Sequence, residues 1–423
     1  MMRPAAGQDV PEPEEACEEG TALVSGLCAS TGFVVDALGN LRGGSRRGVS
    51  AVAQIRMGVE AELGRLAGLE GWSLGSNAIG LYGKQSADTL TGSLTAPSNV
   101  EGVSTLRLNE LWLQWRREGW SSLRFGQLAA DSEFAVADSA LNLVNGTFGW
   151  PLALAEALPA GGPAYPLAVP GMRVELGEPE TDLGARFGLF AGNPGGHYAA
   201  ETDPQRHNRY GTTFSTTGGA FMIGEVVAGP AKLNAGSRPW VAKLGAWYHT
   251  GGFDAQRQDT NGLSLADPAS SGEPQLYRHN LGAYLVGEAT LWRSKEQSLA
   301  VFMRGFTQPA DRNLVSFQVD AGMTWTGAFG RNNDTLSFGV SQARIGHDAR
   351  RRDRDLQAYG EAWQPVRDYE TVVEVNYDRP IGPLHLRPLA QWYIHPAAGA
   401  PNGATGRSLH DAVLVGMRVQ ASF

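Results

Sequence analysis

Ala412-Val-Leu-Val-Gly-Met-Arg-Val-Gln-Ala-Ser-Phe423 closes the chain and decides how the rest of it is read. From Val413 on, every odd position is apolar: Val413, Val415, Met417, Val419, Ala421 and Phe423. The even positions include Gly416, Arg418, Gln420 and Ser422. A period of two is the signature of a β-strand with one apolar and one wet face. A strand that meets lipid on one side and a water-filled lumen on the other has this composition.

The same alternation recurs upstream. Ala51, Ala53, Ile55, Met57, Val59, Ala61 and Leu63 share one face, opposed by Gln54, Arg56, Glu60 and Glu62. Leu183 to Leu189 and Val315 to Trp325 repeat it. Further segments lie near 32–40, 72–84, 105–116, 121–128, 171–177, 219–228, 240–249, 280–292, 298–306, 334–344, 369–378 and 384–394. The expected fold is therefore all-β: a transmembrane antiparallel β-barrel of about sixteen strands, with short periplasmic turns and long extracellular loops. Gly64–Gly71 and Arg117–Trp120 read as turns; Gly192–Gly218, Gly251–His279 and Gly346–Arg367 read as solvated loops. Trp112, Trp115, Trp120, Trp240, Trp292, Trp325, Trp392 and Tyr393 are expected to form interfacial girdles.

No run of eighteen apolar residues occurs, which excludes a spanning helix. A mean hydropathy of −0.23 is no objection, because alternation hides a lipid-facing surface from averaging. The net charge of −8 argues against nucleic acid as a partner. Residues 1–29 are acidic and Pro-containing and read as a poorly ordered periplasmic lead-in; 30–423 read as the barrel. Met1–Val10 lacks the apolar core of a secretory signal, so the expectation is a signal removed or a start assigned too late. Cys17 and Cys28 are the only cysteines; a small disulfide staple and two unremarkable thiols both remain open. No cofactor or metal site is expected.

Asn142-Leu-Val-Asn-Gly-Thr-Phe-Gly-Trp-Pro151, Leu158-Pro-Ala-Gly-Gly-Pro-Ala-Tyr-Pro166 and Ala168-Val-Pro-Gly-Met-Arg173 carry more than periodicity. With Arg107-Leu-Asn-Glu-Leu-Trp112 and Phe125-Gly-Gln-Leu-Ala-Ala-Asp-Ser-Glu-Phe134, they resemble the carbohydrate-selective porin family of the OprB type. Glu370–Tyr377, Pro388 and His395-Pro396 resemble that family's closing strands. Asn109 stands where the family has an aromatic residue, and Gln127 where it has Lys. The resemblance implies a sixteen-stranded outer-membrane barrel that admits small, glucose-like sugars by diffusion. It implies a C-terminal Phe423 read by the barrel assembly machinery. A general porin, or a plugged structural or receptor barrel, is the alternative.

Strand parity then selects candidate sugar contacts. Leu111, Leu113 and Trp115 face lipid, so Glu110, Trp112 and Gln114 face the lumen; on the next strand Arg124 faces in. Sugar hydroxyls donate to Glu and accept from Arg. Glu110 and Arg124 lead the candidates, followed by Arg107, Trp112, Asp131 and Glu133. The broken parity between Leu108 and Leu111 predicts a bulge. Arg56, Arg173, Arg186, Lys243, Arg304 and Arg418 are further inward cations. The loop 142–170, with Phe148, Trp150 and Tyr165, is expected to fold into the lumen and present aromatic rings. The plainer reading is that lumen charges pair with each other and solvate the wall. Gly71-Trp-Ser-Leu-Gly75 matches a nucleophile-elbow pattern but opens a strand, so an enzyme is not expected. The expected partners are small sugars, outer-membrane lipid and the assembly machinery; homo-oligomerisation is left open.

Overall fold

A computed structural model describes residues 20–117, 121–177, 183–196, 203–229, 239–294, 296–360, 365–401 and 406–423. The barrel strands are β1 (Leu27–Arg42), β2 (Gly48–Glu62), β3 (Trp72–Gly83), β4 (Thr105–Arg117), β5 (Ser121–Leu128) and β6 (Val169–Leu176). They continue as β7 (Leu183–Ala191), β8 (Ala220–Ala228), β9 (Trp240–His249), β10 (Asn280–Arg293) and β11 (Ser298–Thr307). β12 (Val315–Thr326), β13 (Thr335–Ile345), β14 (Tyr369–Ile381), β15 (Leu384–Ile394) and β16 (Ala412–Ser422) complete the set. Each strand pairs antiparallel with its sequence neighbour, and β16 returns to β1 with Arg418 opposite Asp36. All sixteen therefore close on themselves. Closure leaves no exposed sheet edge, a condition for a strand-built span in lipid.

Which residues form the wall follows from alternation. Leu244, Leu285, Met303, Val415 and Met417 lie on the exposed outer face. Asp36, Arg304, Asp320, Glu374 and Arg418 are buried on the inner face. This inverts a water-soluble protein and fits lipid outside and polar groups inside. Trp240, Trp292 and Trp392 are exposed on the outer surface as girdle residues should be. Tyr393 is not: it points inward, fully buried, and its hydroxyl donates to Gln391 at 2.8 Å. Trp112 is likewise buried on the lumen side, and Trp120 lies outside the described residues.

Two boundaries differ from the sequence expectation. Thr21–Val24 forms a short strand on the start of β1, which itself begins at Leu27, so the lead-in overlaps the sheet. Cys17, one half of the possible staple, lies outside the described residues. The segment 346–367 contains a helix, α1 (His347–Ala358), rather than an open loop. Alternating charge explains it: Asp348 meets Arg351 one turn on, while Ala349 and Asp353 turn inward together. Asp353 receives the Arg367 guanidinium at 2.9 Å.

Candidate constriction

The loop 129–168 leaves β5 at the extracellular end and passes across the barrel interior. Its apolar residues Leu143, Phe148, Leu152 and Leu154 pack with Phe190, Phe221, Trp247, Tyr284, Phe302 and Phe306 from the inner wall. A hydrophobic core thus sits inside the barrel, over the β7–β12 side. Phe148 meets Phe302 edge-on at 6.4 Å.

Lumen carboxylates hold the loop by its backbone. Glu110 of β4 accepts from the Ala129 amide at 3.1 Å, and Glu225 of β8 from that of Ala135 at 3.1 Å. Glu288 of β10 accepts from Asp138 and Ser139 at 2.9 and 2.8 Å. Glu374 of β14 accepts from Val144 and Asn145 at 2.7 and 2.8 Å. Arg304, paired with Asp320 at 2.7 Å, donates to the carbonyls of Ala135, Thr147 and Gly149. A buried amide without a partner costs about 1–3 kcal/mol, so these contacts dictate the loop's path. The loop 84–104 is held the same way: Glu370 accepts from Leu94 and Thr95, at 2.8 and 3.1 Å.

Inward polar side chains that stay accessible lie on β5 to β7, and also on β2, where Arg56 and Glu60 are exposed. Register sets Arg124 of β5 directly opposite Arg173 of β6, and Arg186 of β7 between Glu175 and Glu225. Like charges opposite each other repel. Glu133, from the loop, resolves the repulsion. It accepts from Arg124 at 3.1 Å and from Arg173 Nε, and lies 3.7 Å from Arg186. Gln114 also accepts from Arg124 and Arg173, at 2.9 and 3.2 Å. Arg124 lies over the Trp112 ring at 4.2 Å, close enough for a cation–π contact. Arg124, Glu133, Glu175 and Arg186 all keep part of their side chains accessible.

The sequence candidates fall into two groups. Arg124, Trp112 and Glu133 meet in this cluster. Glu110 does not pair with Arg124; it faces Asn77 at 3.0 Å and the loop. The cause is the β4–β5 register, which sets Arg124 opposite Gln114, four residues along β4 from Glu110. The expected bulge is present in the β3–β4 pairing: Asn77 opposes Glu110 and Ala78 opposes Leu108, leaving Asn109 unpaired. Gln127 and Asn109, the two departures from the family pattern, brace it. Gln127 donates to Asn109 O and Gly211 O, and Asn109 to Asn77. Arg107 is buried and donates to Pro166 and Gln205 carbonyls at 2.8 and 3.1 Å. Asp131 accepts from the Tyr165 amide, and the Tyr165 hydroxyl donates to Val100 O. Trp150 donates to Gly161 O. Of the three loop aromatics, Phe148 is buried as an anchor rather than presented to solute. Arg173 and Arg186 were legible as inward cations; Glu175 and Glu225 were missed, though each sits at an inward parity position. Among the described residues no group of His, Cys, Asp and Glu could hold a metal ion.

Solved structures match over nearly the whole chain. Pseudomonas putida OprB in its high-pH structure is 21% identical with a TM-score of 0.81, covering 94% of each chain. Its low-pH structure gives 15% and 0.53, covering 94% of this chain and 93% of that one. The outer membrane channel DcaP of Acinetobacter baumannii gives 11% and 0.50, covering 96% of this chain and all of that one. At these identities the likeness concerns the fold. No curated protein matches. The model of the carbohydrate-selective porin, OprB family, matches residues 46–423, and on that match the chain belongs to this family of outer-membrane barrels.

Proposed function

We propose that the barrel passes small, glucose-like carbohydrates by diffusion, and that solute is selected where Glu133 lies among Arg124, Arg173 and Arg186 beside Trp112. The observation that carries this reading is the accessibility of Arg124, Glu133 and Arg186 beside the loop that packs across the barrel interior. Guanidinium groups donate to ring hydroxyls, the carboxylates accept from them, and the buried Trp112 ring supports Arg124 from behind. Glu110, Arg107, Asp131, Trp150 and Tyr165 act in this reading by holding the loop and the bulge. The loop narrows the pore rather than lining it with aromatic rings. No step here requires a catalyst.

Liposome swelling with refolded protein tests the proposal. Glucose should enter faster than an uncharged amino acid of similar size and faster than a disaccharide. Entry ranked by size alone would make the barrel a general porin. The density of loop anchors favours one further reading, a plugged structural or receptor barrel; no swelling from a correctly folded protein would establish it.

A further inference from the structure

A cavity of about 580 Å³ lies at the extracellular end of β3 and β4, lined by Gly83, Lys84, Gln85, Thr89, Gly102, Val103, Ser104, Arg206 and Arg209. Its volume is in the range of small-molecule sites. Among its described lining residues three are cations and none is acidic. All three cations are exposed, and no ion pair is formed by Lys84 or Arg209 among the described residues. Arg206 has only the local surface pair to Asp203, at 3.6 Å. Arg209 lies 5.7 Å from the Tyr210 ring.

Its position decides what would fill it. Lys84 stands two residues beyond Tyr82, and Ser104 two before Leu106; both Tyr82 and Leu106 are exposed on the outer wall. The neighbours facing the lumen, Leu81 and Arg107, are each 1% exposed. The cavity therefore borders the lipid-facing rim. Tyr210, at the same rim, is exposed too. Cations extend along it: Arg46 and Arg47, in the adjoining β1–β2 loop, are exposed, and the Arg46 amide bonds to Leu90 O at 3.1 Å. An apolar surface with a cationic cavity directly above it is complementary to an amphiphile with an anionic head.

We propose that this cavity binds a phosphate group of a glycolipid in the outer leaflet. A phosphate monoester carries about −1.5 to −2 charges near neutral pH and offers three acceptor oxygens, which suits two guanidinium groups and an ammonium. The lipid's acyl chains lie along Tyr82, Leu106 and the outward face of β3 and β4. The site is independent of which solute passes the lumen.

The test is native mass spectrometry of the full chain in detergent micelles, with bis-phosphorylated lipid A and its dephosphorylated counterpart as probes. The protein should retain the phosphorylated lipid about tenfold or more over the other. Lys84→Ala/Arg206→Ala/Arg209→Ala should abolish that preference while swelling rates stay unchanged. Arg209→Lys, which keeps the charge, should retain most of it. Equal retention of the two lipids, or an unaltered preference in the triple variant, overturns the proposal. Binding of inorganic phosphate to the wild type but not to the triple variant, with no retention of either lipid, also overturns it, in favour of a site for a free anion. If the triple variant fails to fold, Arg209→Glu carries the same comparison.

Discussion

Glu133→Gln is the sharpest perturbation the constriction offers. In the wild-type cluster three guanidinium groups face three carboxylates, Glu133, Glu175 and Glu225, and the formal charge balances. Gln keeps the shape and an acceptor oxygen but removes one negative charge. For a unit charge about 6 Å from an ion in a water-filled lumen, Coulomb's law gives about 0.7 kcal/mol. That is roughly threefold in the local concentration of either ion, and about tenfold in the anion-to-cation ratio. The Debye length falls from about 10 Å at 0.1 M salt to about 3 Å at 1 M, so the shift should largely vanish at high salt. Reversal potentials in planar bilayers under a KCl gradient measure this directly. An unchanged potential at low salt, a shift toward cations, or a shift indifferent to salt would refute the placement of this cluster beside the conducting path.

Three further outcomes follow from the same contacts. Glu374 is buried and accepts four hydrogen bonds, from Val144, Asn145, Asn376 and Gln391; Glu374→Gln turns an NH₂ toward some of these donors and should weaken loop anchoring by about 2–4 kcal/mol, visible as flickering single-channel current, and steady wild-type recordings would reject the anchor. Trp112→Ala removes a ring that fills the space above Gly75 and supports Arg124; it should cost roughly 3–5 kcal/mol of stability and flatten the swelling preference for glucose, whereas an unaltered melting point and ratio would exclude the role. Asp259, in the extracellular loop 250–279, is held down to about 2 chiefly by the Ser271 amide, with the Leu263 and Asn261 amides adding to it. Its folded-state pKa lies below the unfolded value of about 3.9, so its contribution is full above that value and is lost as pH falls toward 2. Limited proteolysis of that loop should therefore rise between those limits and lose this dependence in Asp259→Asn; an identical profile in the variant would show that another group controls it.

Period-two alternation carried the barrel because lipid outside and water inside impose opposite demands on successive residues, and all sixteen expected segments contain a strand. The bulge at Asn109 was readable for the same reason, as a break in parity. The loop's path was not. Its anchors, Glu225, Glu288 and Glu374, come from strands up to 230 residues away, and they meet backbone amides, which have no sequence signature. Arg124 was readable as an inward cation; that its partner is Glu133 rather than Glu110 depends on the β4–β5 register, which sets Arg124 opposite Gln114 and leaves Glu110 beside Asn77. The helix His347–Ala358 escaped because its charges suggested a solvated tip, although their spacing also suits helical ion pairs.

The carboxylates that span the lumen grip main-chain amides, and every residue except proline carries one. Such a grip is blind to the side chains of the segment it holds. Substitutions at accessible positions of 129–168, away from buried anchors such as Phe148, can then alter what the pore admits while the loop keeps its course, and the wall need not change in step. Selectivity and scaffold become separately adjustable, by mutation in the laboratory as much as by descent.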